Sequence, residues 1–322
     1  MPTANKKYDV IVTGELNVDL ILNGLPEMPQ PGKEIFAQHM TLQMGSSAGI
    51  IACNLASLSL NVAFIGKTGK DTYGQFIRTR LREKGVNTDM VLQDIALVTG
   101  ASIALQHEGD RAMITYAGAM EHLTIADIPF EEFKNARHFH FCAYFFQPRM
   151  QESLPLLFRA ARAAGCSTSF DMQTDPNDKW EIDYQSILPY VDIFLPNENE
   201  ILKITKKATT DEAIAEIKKY TKILAVKLGE KGSVLVYDDQ KIYQPAYRIA
   251  NVVDAIGAGD SFDAGFIYQY LNNAPLEDCQ QFGNMMGAFS TTAAGGTAAF
   301  DGINNLEQYV RQKLGDISTC AT

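Results

Sequence analysis

Between residues 136 and 229, short apolar runs alternate with helix-like stretches. This alternation restricts the folds open to the chain more than any other feature. The runs are "ARHFHFCAYF", "CSTSFD", "VDIFLPNE" and "KILAVKLG", separated by helix-like segments at 150–164, at 181–189 and in "DEAIAEIKKY". Strands divided by helices predict a mostly parallel sheet covered on both faces, because each crossover lays a helix on one of them. "YDVIVTG" (8–14) and "VAFIG" (62–66) add strands, and 47–60 and 71–85 add helices, the second stopped by Gly85. "GSVLVYD" and "KIYQPAY" predict a hairpin around Asp238-Asp239-Gln240, and helices at 259–272, 276–294 and 304–314 close the chain. Two strand-rich pieces interrupt this pattern. One spans 16–40, with a bend at Pro26, Pro29, Pro31 and Gly32, and the other spans 91–119, with turns expected at Gly100 and Gly109. They are expected to pair as a small sheet beside the core.

A chain of 322 residues that is 46% hydrophobic has ample material for a large core. Its net charge of −10, with no basic cluster, argues against binding the backbone of DNA or RNA. Small anionic ligands stay open, since local amides and cations hold those. Cys53, Cys142, Cys166, Cys279 and Cys320 are scattered, with no C-x-x-C, so they read as reduced thiols and not as a zinc site. His138 and His140 flank Phe139 in an apolar run, the alternation of a strand. No apolar run approaches the roughly 20 residues of a membrane span, and a cytoplasmic location is expected.

Two phosphate-loop candidates fail on spacing. "NVAFIGKTG" (61–69) contains Gly-Lys-Thr, but Asn61 stands where a Walker A loop has its first Gly, and 62–65 read as strand. "GAGDSF" has Phe262 where a dinucleotide fingerprint ends in Gly, and it follows a hairpin late in the chain.

"DAIGAGDSFDAGF" (254–266) is more informative. Gly257 and Gly259 permit close backbone approach to a ligand. A helix beginning near Gly259 would present N–H groups without intrahelical acceptors, and its macrodipole favours an anion. Gly257, Ala258 and Gly259 are thus a candidate receptor for a transferring phosphoryl group. Asp260 beside it would orient a substrate hydroxyl and take its proton late, and the helix N-terminus is expected to lower its pKa. Taken alone, Asp260 reads equally as a helix cap. Asp263 is expected on a solvated helix face, and Phe262 and Phe266 in the core.

"VDAIGAGDSFDAGF" resembles the C-terminal signature of the PfkB (ribokinase) family of carbohydrate kinases, and further motifs follow in family order along nearly the whole chain. The resemblance implies a ribokinase-like doubly wound core of residues 1–14, 43–91 and 121–322, with a β lid from 15–42 and 92–120. It implies an ATP-dependent sugar kinase using Mg²⁺, with K⁺ the candidate monovalent cation. "GELNVDLIL" (14–22) maps Asn17 and Asp19 as sugar contacts. "PNENE" (196–200) maps Asn197 to the nucleotide phosphates and Glu200 to Mg²⁺, through water. "KLGEKG" (227–232) places Lys227, Gly229 and Gly232 by the nucleotide, and "GNMMGAFSTTAAGG" (283–296) does the same for Asn284. By the same resemblance Asp254 and the carbonyls near Ile256, Ser290 and Gly295 would hold the monovalent cation. Lids of this kind can pair two subunits, so a homodimer through the lid is expected.

The chain departs from the pattern twice. Where the family has two adjacent glycines and, four residues on, an Asn, "MGSSAGIIACN" has Gly45, Ser46 and Ile50. Gly45 and Ser46 still map to the sugar border, while Asn54, one helical turn beyond Ile50, could compensate or merely pack. Phe146 falls where ribokinase proper has a sugar-binding Glu, which argues against ribose and leaves Tyr144 or Gln147 as substitute polar contacts. "FDMQTDPNDKW" (170–180) is similar to a stretch of fructokinase-like members, making Asp171 and Gln173 candidates for the far side of the pocket, with Asp175-Pro176-Asn177 open as a plain turn. Three alternatives stand beside the sugar kinase: an adenosine-type nucleoside kinase stacking a purine on 144–146, a sugar-phosphate kinase and a catalytically idle sugar-binding regulator.

Overall fold

The computed structural model describes residues 6–107 and 110–318. In chain order the strands are β1 (Tyr8–Thr13), β2 (Asn17–Asn23), β3 (His39–Met44), β4 (Val62–Gly69), β5 (Val91–Asp94), β6 (Gly100–His107), β7 (Asp110–Tyr116), β8 (Ala136–Cys142), β9 (Ser167–Asp171), β10 (Ile193–Phe194), β11 (Ile223–Lys227), β12 (Ser233–Tyr237) and β13 (Gln240–Gln244). The helices are α1 (Ser47–Ser57), α2 (Thr72–Glu83), α3 (Leu154–Ala163), α4 (Tyr184–Ile187), α5 (Glu198–Thr205), α6 (Thr210–Ile217), α7 (Ala258–Leu271), α8 (Leu276–Ser290) and α9 (Leu306–Ser318).

Among the described residues, nine strands form one sheet in the order β13-β12-β11-β10-β9-β8-β1-β4-β5. It is parallel apart from the closing β11–β12–β13 meander. The central strand β1 shows why. Val10, Ile11 and Val12 are all fully buried, so both faces of the strand lie under helices. Val10 and Val12 join the core on the side of α1 and α7. Ile11 joins the opposite core, with Phe139, Phe141, Phe170 and the apolar face of α3. α7 is buried almost all round, wedged against α1 and α8, so it has no polar stripe.

The two interrupting segments do pair. They form a four-stranded sheet, β3-β2-β6-β7, in which β2 is antiparallel to β3 and parallel to β6. One row across it is polar, Gln43–Asp19–Ser102–Thr115, and the next is apolar, Leu42–Leu20–Ile103–Ile114. Strand alternation sends these rows to opposite faces. The turn expected at Gly100 is corrected, because Gly100 opens β6 and the chain turns before it. The turn expected at Gly109 lies outside the described residues. The hairpin at 238–239 is present, with Asp238 at φ +47 and Tyr237 paired to Gln240. His138 and His140 lie buried in β8 and bond the hydroxyls of Ser167 and Ser169 on β9. Among the described residues no helix is long and apolar enough to cross a membrane.

Candidate active site

A cavity of about 1020 Å³ runs along the C-terminal ends of the parallel strands, beneath the small sheet. Ligands of open α/β sheets bind at this end. The volume is at the upper end of the range for small-molecule pockets, roughly 300–1,000 Å³.

α7 begins at the cavity floor. Gly257 is its N-cap at φ +74, and no side chain caps the helix. A Cβ at 257 would sit 2.5 Å from Gly296 Cα, so the turn is closed to any other residue. Gly257, Ala258 and Gly259 all line the cavity. The N–H of Ala258 turns back to Ala255 O at 3.3 Å. First-turn N–H groups have no intrahelical acceptor, and beyond Ala258 this turn lies against the cavity through Gly259 and Asp260.

Asp260 is the third residue of this turn and lines the cavity while only 5% exposed. It is no cap for its own helix, since its Oδ1 accepts from Gln173 Nε2 at 3.0 Å. The lowered pKa expected from the helix terminus is corrected. Burial, with the nearby Asp171 charge, pushes the carboxyl up to about 6, and Lys227, Gln173 and Ser47 only moderate this. Burial here outweighs the helix dipole.

Asp263 is also corrected. It is not on a solvated face but fully buried, bonded by both oxygens to Lys227 Nζ at 3.0 and 3.1 Å. One turn after Asp260, it points inward because α7 has no solvent side. Lys227 Nζ also donates to Asp171 Oδ2 at 2.9 Å. Burial pushes Asp263 far up, whereas for Asp171 burial is outweighed by the Lys227 charge together with hydrogen bonds from Asp263, Lys227 and the Gln173 backbone, which hold it down. Lys227 thus bridges Asp171 and Asp263. Phe262 and Phe266 are in the core, as expected.

Asn197 and Glu200 cap α5 reciprocally. Asn197 N–H and Nδ2 donate to the two Glu200 oxygens at 2.9 and 2.6 Å, and Glu200 N–H donates back to Asn197 Oδ1. Both line the cavity, yet Glu200 is only 2% exposed, and burial with the Asp171 charge pushes it up to about 8. Among the described residues no group of three or more acidic, His or Cys side chains is disposed to hold a metal. A buried carboxylate short of counter-charge, beside a place for phosphates, suits an ion that is held by one protein carboxylate together with phosphates and water.

Gly229, Gly232 and Asn284 line the same end of the cavity, and Asn284 Nδ2 is buried without a protein partner. Asp254 accepts from the N–H groups of Ile256 and Gly295, both at 3.0 Å, tying the turn before α7 to the 295 loop. It makes no ion pair among the described residues. Ser290 donates to Gly287 O. Of Asp254, Ile256, Ser290 and Gly295, only Ile256 lines the cavity.

At the other end, Asp19 and Gly45 line the cavity with Ser47, Ile50, Met113, Asp171 and Gln173. Asn17 lies behind them and donates to Asp19 Oδ1 at 3.0 Å. Ser46 is fully buried as the N-cap of α1, accepting from Gly49 N–H, and does not line the cavity. Asn54 cannot replace Ile50, because its amide donates to Ser261 Oγ and Gly296 O, both at 3.0 Å. Tyr144 and Gln147 are not substitute contacts. Tyr144 packs on Phe145 and Phe170, Gln147 donates to Cys142 O, and neither lines the cavity. Phe146 packs against the core, so the 144–146 platform for a purine does not form. Asp175 accepts three N–H groups of its own turn.

Sequence reasoning missed Glu15. Its Oε1 accepts from the N–H groups of Ser47 and Ala48 at 2.6 and 3.4 Å, and its Oε2 is buried without a partner. Its only signal was a carboxylate at the end of an apolar strand.

Residues 7–301 match the pfkB family of carbohydrate kinases. The chain belongs to that family. It is a phosphotransferase of the carbohydrate kinase type, with the ribokinase-like fold. A ribokinase of Arabidopsis thaliana is 30% identical over 85% of this chain and 73% of its own. The structure of Arabidopsis thaliana ribokinase complexed with ribose and ATP superposes with a TM-score of 0.82, at 24% identity, covering 94% of this chain and 99% of that one. An adenosine kinase from Sinorhizobium meliloti gives a TM-score of 0.82 at 25% identity, covering 95% and 99%. Such relatives set the fold and reaction type while differing in acceptor.

Proposed function

We propose that this chain transfers the γ-phosphate of ATP to a hydroxyl of a sugar, with Asp260 as general base and the turn Gly257–Ala258–Gly259 as the anion hole. One observation carries this reading: Asp260 lines the cavity floor in the first turn of α7, beside Gly257, Ala258 and Gly259, which line the same cavity, and burial pushes its carboxyl up to about 6. A base of that pKa is ionised at neutral pH, yet basic enough to accept a hydroxyl proton as the transfer proceeds. The acceptor oxygen forms its bond to the γ-phosphorus, the bond to the β–γ bridging oxygen breaks, and the hydroxyl proton goes to Asp260. The amides of the turn stabilise charge on the transferring group.

Asn17, Asp19, Gly45, Ser46 and Asp171 form or support the sugar end. Asn197, Lys227, Gly229, Gly232 and Asn284 form or support the nucleotide end. Glu200 would hold Mg²⁺ through water, and the ion would neutralise phosphate charge. Asp254, a half-buried carboxylate without an ion-pair partner among the described residues, suits K⁺ together with carbonyls at Ile256, Ser290 and Gly295. The small sheet would act as a lid over a core of 1–14, 43–91 and 121–322, excluding water, and its outer apolar row would pair two subunits. The packing of Tyr144 and Phe146 into the core favours a sugar over a nucleoside.

The test is ADP release across hexoses, pentoses, keto acids and nucleosides. Mg²⁺-dependent transfer to a sugar is expected, reduced at least about 100-fold in Asp260→Asn. Wild-type turnover in that variant would remove the base assignment. Tight sugar binding without transfer to any acceptor would make the protein a regulator.

A further inference from the structure

Gln173 sits just beyond β9, at φ +61, and its side chain lines the cavity. Its amide nitrogen carries two hydrogens, and two carboxylate oxygens receive them: Asp171 Oδ2 at 2.9 Å and Asp260 Oδ1 at 3.0 Å. Its backbone N–H donates to Asp171 Oδ1 at 3.2 Å. Asp171 Oδ2 also accepts from Lys227 Nζ, which is bonded to Asp263. One chain of contacts thus runs from the buried ion pair to the base.

The residue type matters at this point. A lysine donating to both carboxylates would neutralise the base electrostatically. A glutamate would add a negative charge beside two others. An amide donates to both without changing the net charge.

We propose that Gln173 is a positioning residue for the base. It fixes the Asp260 carboxylate through Oδ1 and turns Oδ2 toward the acceptor hydroxyl, so the orientation of the base depends on the Lys227–Asp171 pair. The inference rests on the reading of Asp260 as the base. When the new O–P bond forms and the bond to the leaving nucleoside diphosphate breaks, the hydroxyl proton passes to Oδ2 while Oδ1 stays bonded to Gln173.

The charged groups around Asp260 are Asp171, Lys227, Glu15 and Glu200 from neighbouring elements and Asp263 on its own helix. Against burial and the Asp171 charge, Lys227, Gln173 and Ser47 favour the ionised form of the base. The loss of Gln173 therefore moves the base upward by about one pH unit, the equivalent of one hydrogen bond to a charged group.

Two variants test this in the full chain. Gln173→Asn tolerates the left-handed backbone but is one methylene short of spanning both carboxylates. Gln173→Glu keeps the length and replaces the donor with a charge. The first readout is the ¹³C titration of the Asp260 carboxyl in ligand-free protein, assigned with Asp260→Asn. It should move up by about one unit in Gln173→Asn and further in Gln173→Glu. The second is the pH profile of kcat/KM, whose acid limb should move with it. kcat should fall about tenfold, the equivalent of the same bond, with KM for ATP nearly unchanged. A purely structural role would lower Tm and leave both titrations where they were. An Asp260 titration unchanged in both variants overturns the inference and leaves the base reading intact. Undiminished transfer by Asp260→Asn instead removes the base reading, and the catalytic role of Gln173 with it.

Discussion

Glu15 follows the last residues of β1 and faces the first N–H groups of α1. A carboxylate there would ordinarily be stabilised by the helix dipole. Burial instead dominates and pushes it up to about 8, with the Asp260 charge adding to the effect. The folded chain therefore holds a proton on Glu15 that the unfolded chain releases near pH 4.5. That contribution to stability is complete below the unfolded pKa and is lost as pH rises through about 8. Gln at this position keeps an acceptor for the α1 amides and does not ionise. Thermal melts of Glu15→Gln should therefore gain on the wild type steadily from pH 5 to 8.5. Parallel pH profiles would contradict a buried, protonated Glu15. The PfkB pattern in "GELNVDLIL" marks Asn17 and Asp19, two and four residues on, and not Glu15, whose consequence depends on α1 arriving beside it.

α7 and α1 together build the turn proposed as the anion site. Gly257 shapes the turn, while Asn54 and Ile50 on α1 hold it from behind, Ile50 Cδ1 lying 2.7 Å from where a Cβ on Gly296 would be. The departure at Ile50 thus puts apolar packing against the Gly257 turn and the Gly296 loop where the family pattern has Asn. Gly257→Ala would place a methyl against Gly296 and force a left-handed alanine, displacing the turn. Its kcat should drop about 100-fold, as when one oxyanion donor is lost, with far-ultraviolet circular dichroism unchanged. Turnover within about twofold of wild type would show that these amides do not contact the transferring group. The start of α7 was legible in "GAGD", since two glycines and an acid form a recognisable helix entry. The inward direction of Asp263 was not, because a helix buried on all sides has no polar face to predict from.

At the scale of the whole molecule, the small sheet places its polar row over the cavity side and its apolar row outside. Met40 is 69% exposed, Ile114 65% and Tyr116 59%. Such a surface on an edge-bearing sheet fits the subunit pairing proposed above. Sedimentation velocity should find a dimer that Ile114→Lys converts to monomer. A wild-type monomer at tens of micromolar would exclude pairing through the lid.

Local pattern in the sequence determined the alternation of strands and helices, the small sheet from two separated segments, the Gly257–Asp260 helix entry and the family. Each of these is set by residues close in the chain or by a fixed motif. Tertiary structure alone decided the charge states and partners of Asp260, Asp263, Glu15 and Glu200, the bridging role of Gln173, and the withdrawal of Tyr144 and Phe146 from the cavity. Those depend on burial and on side chains from β9, β11, α1 and α7 meeting at one point, and the free energy of a buried charge is set by neighbours that sequence spacing does not reveal.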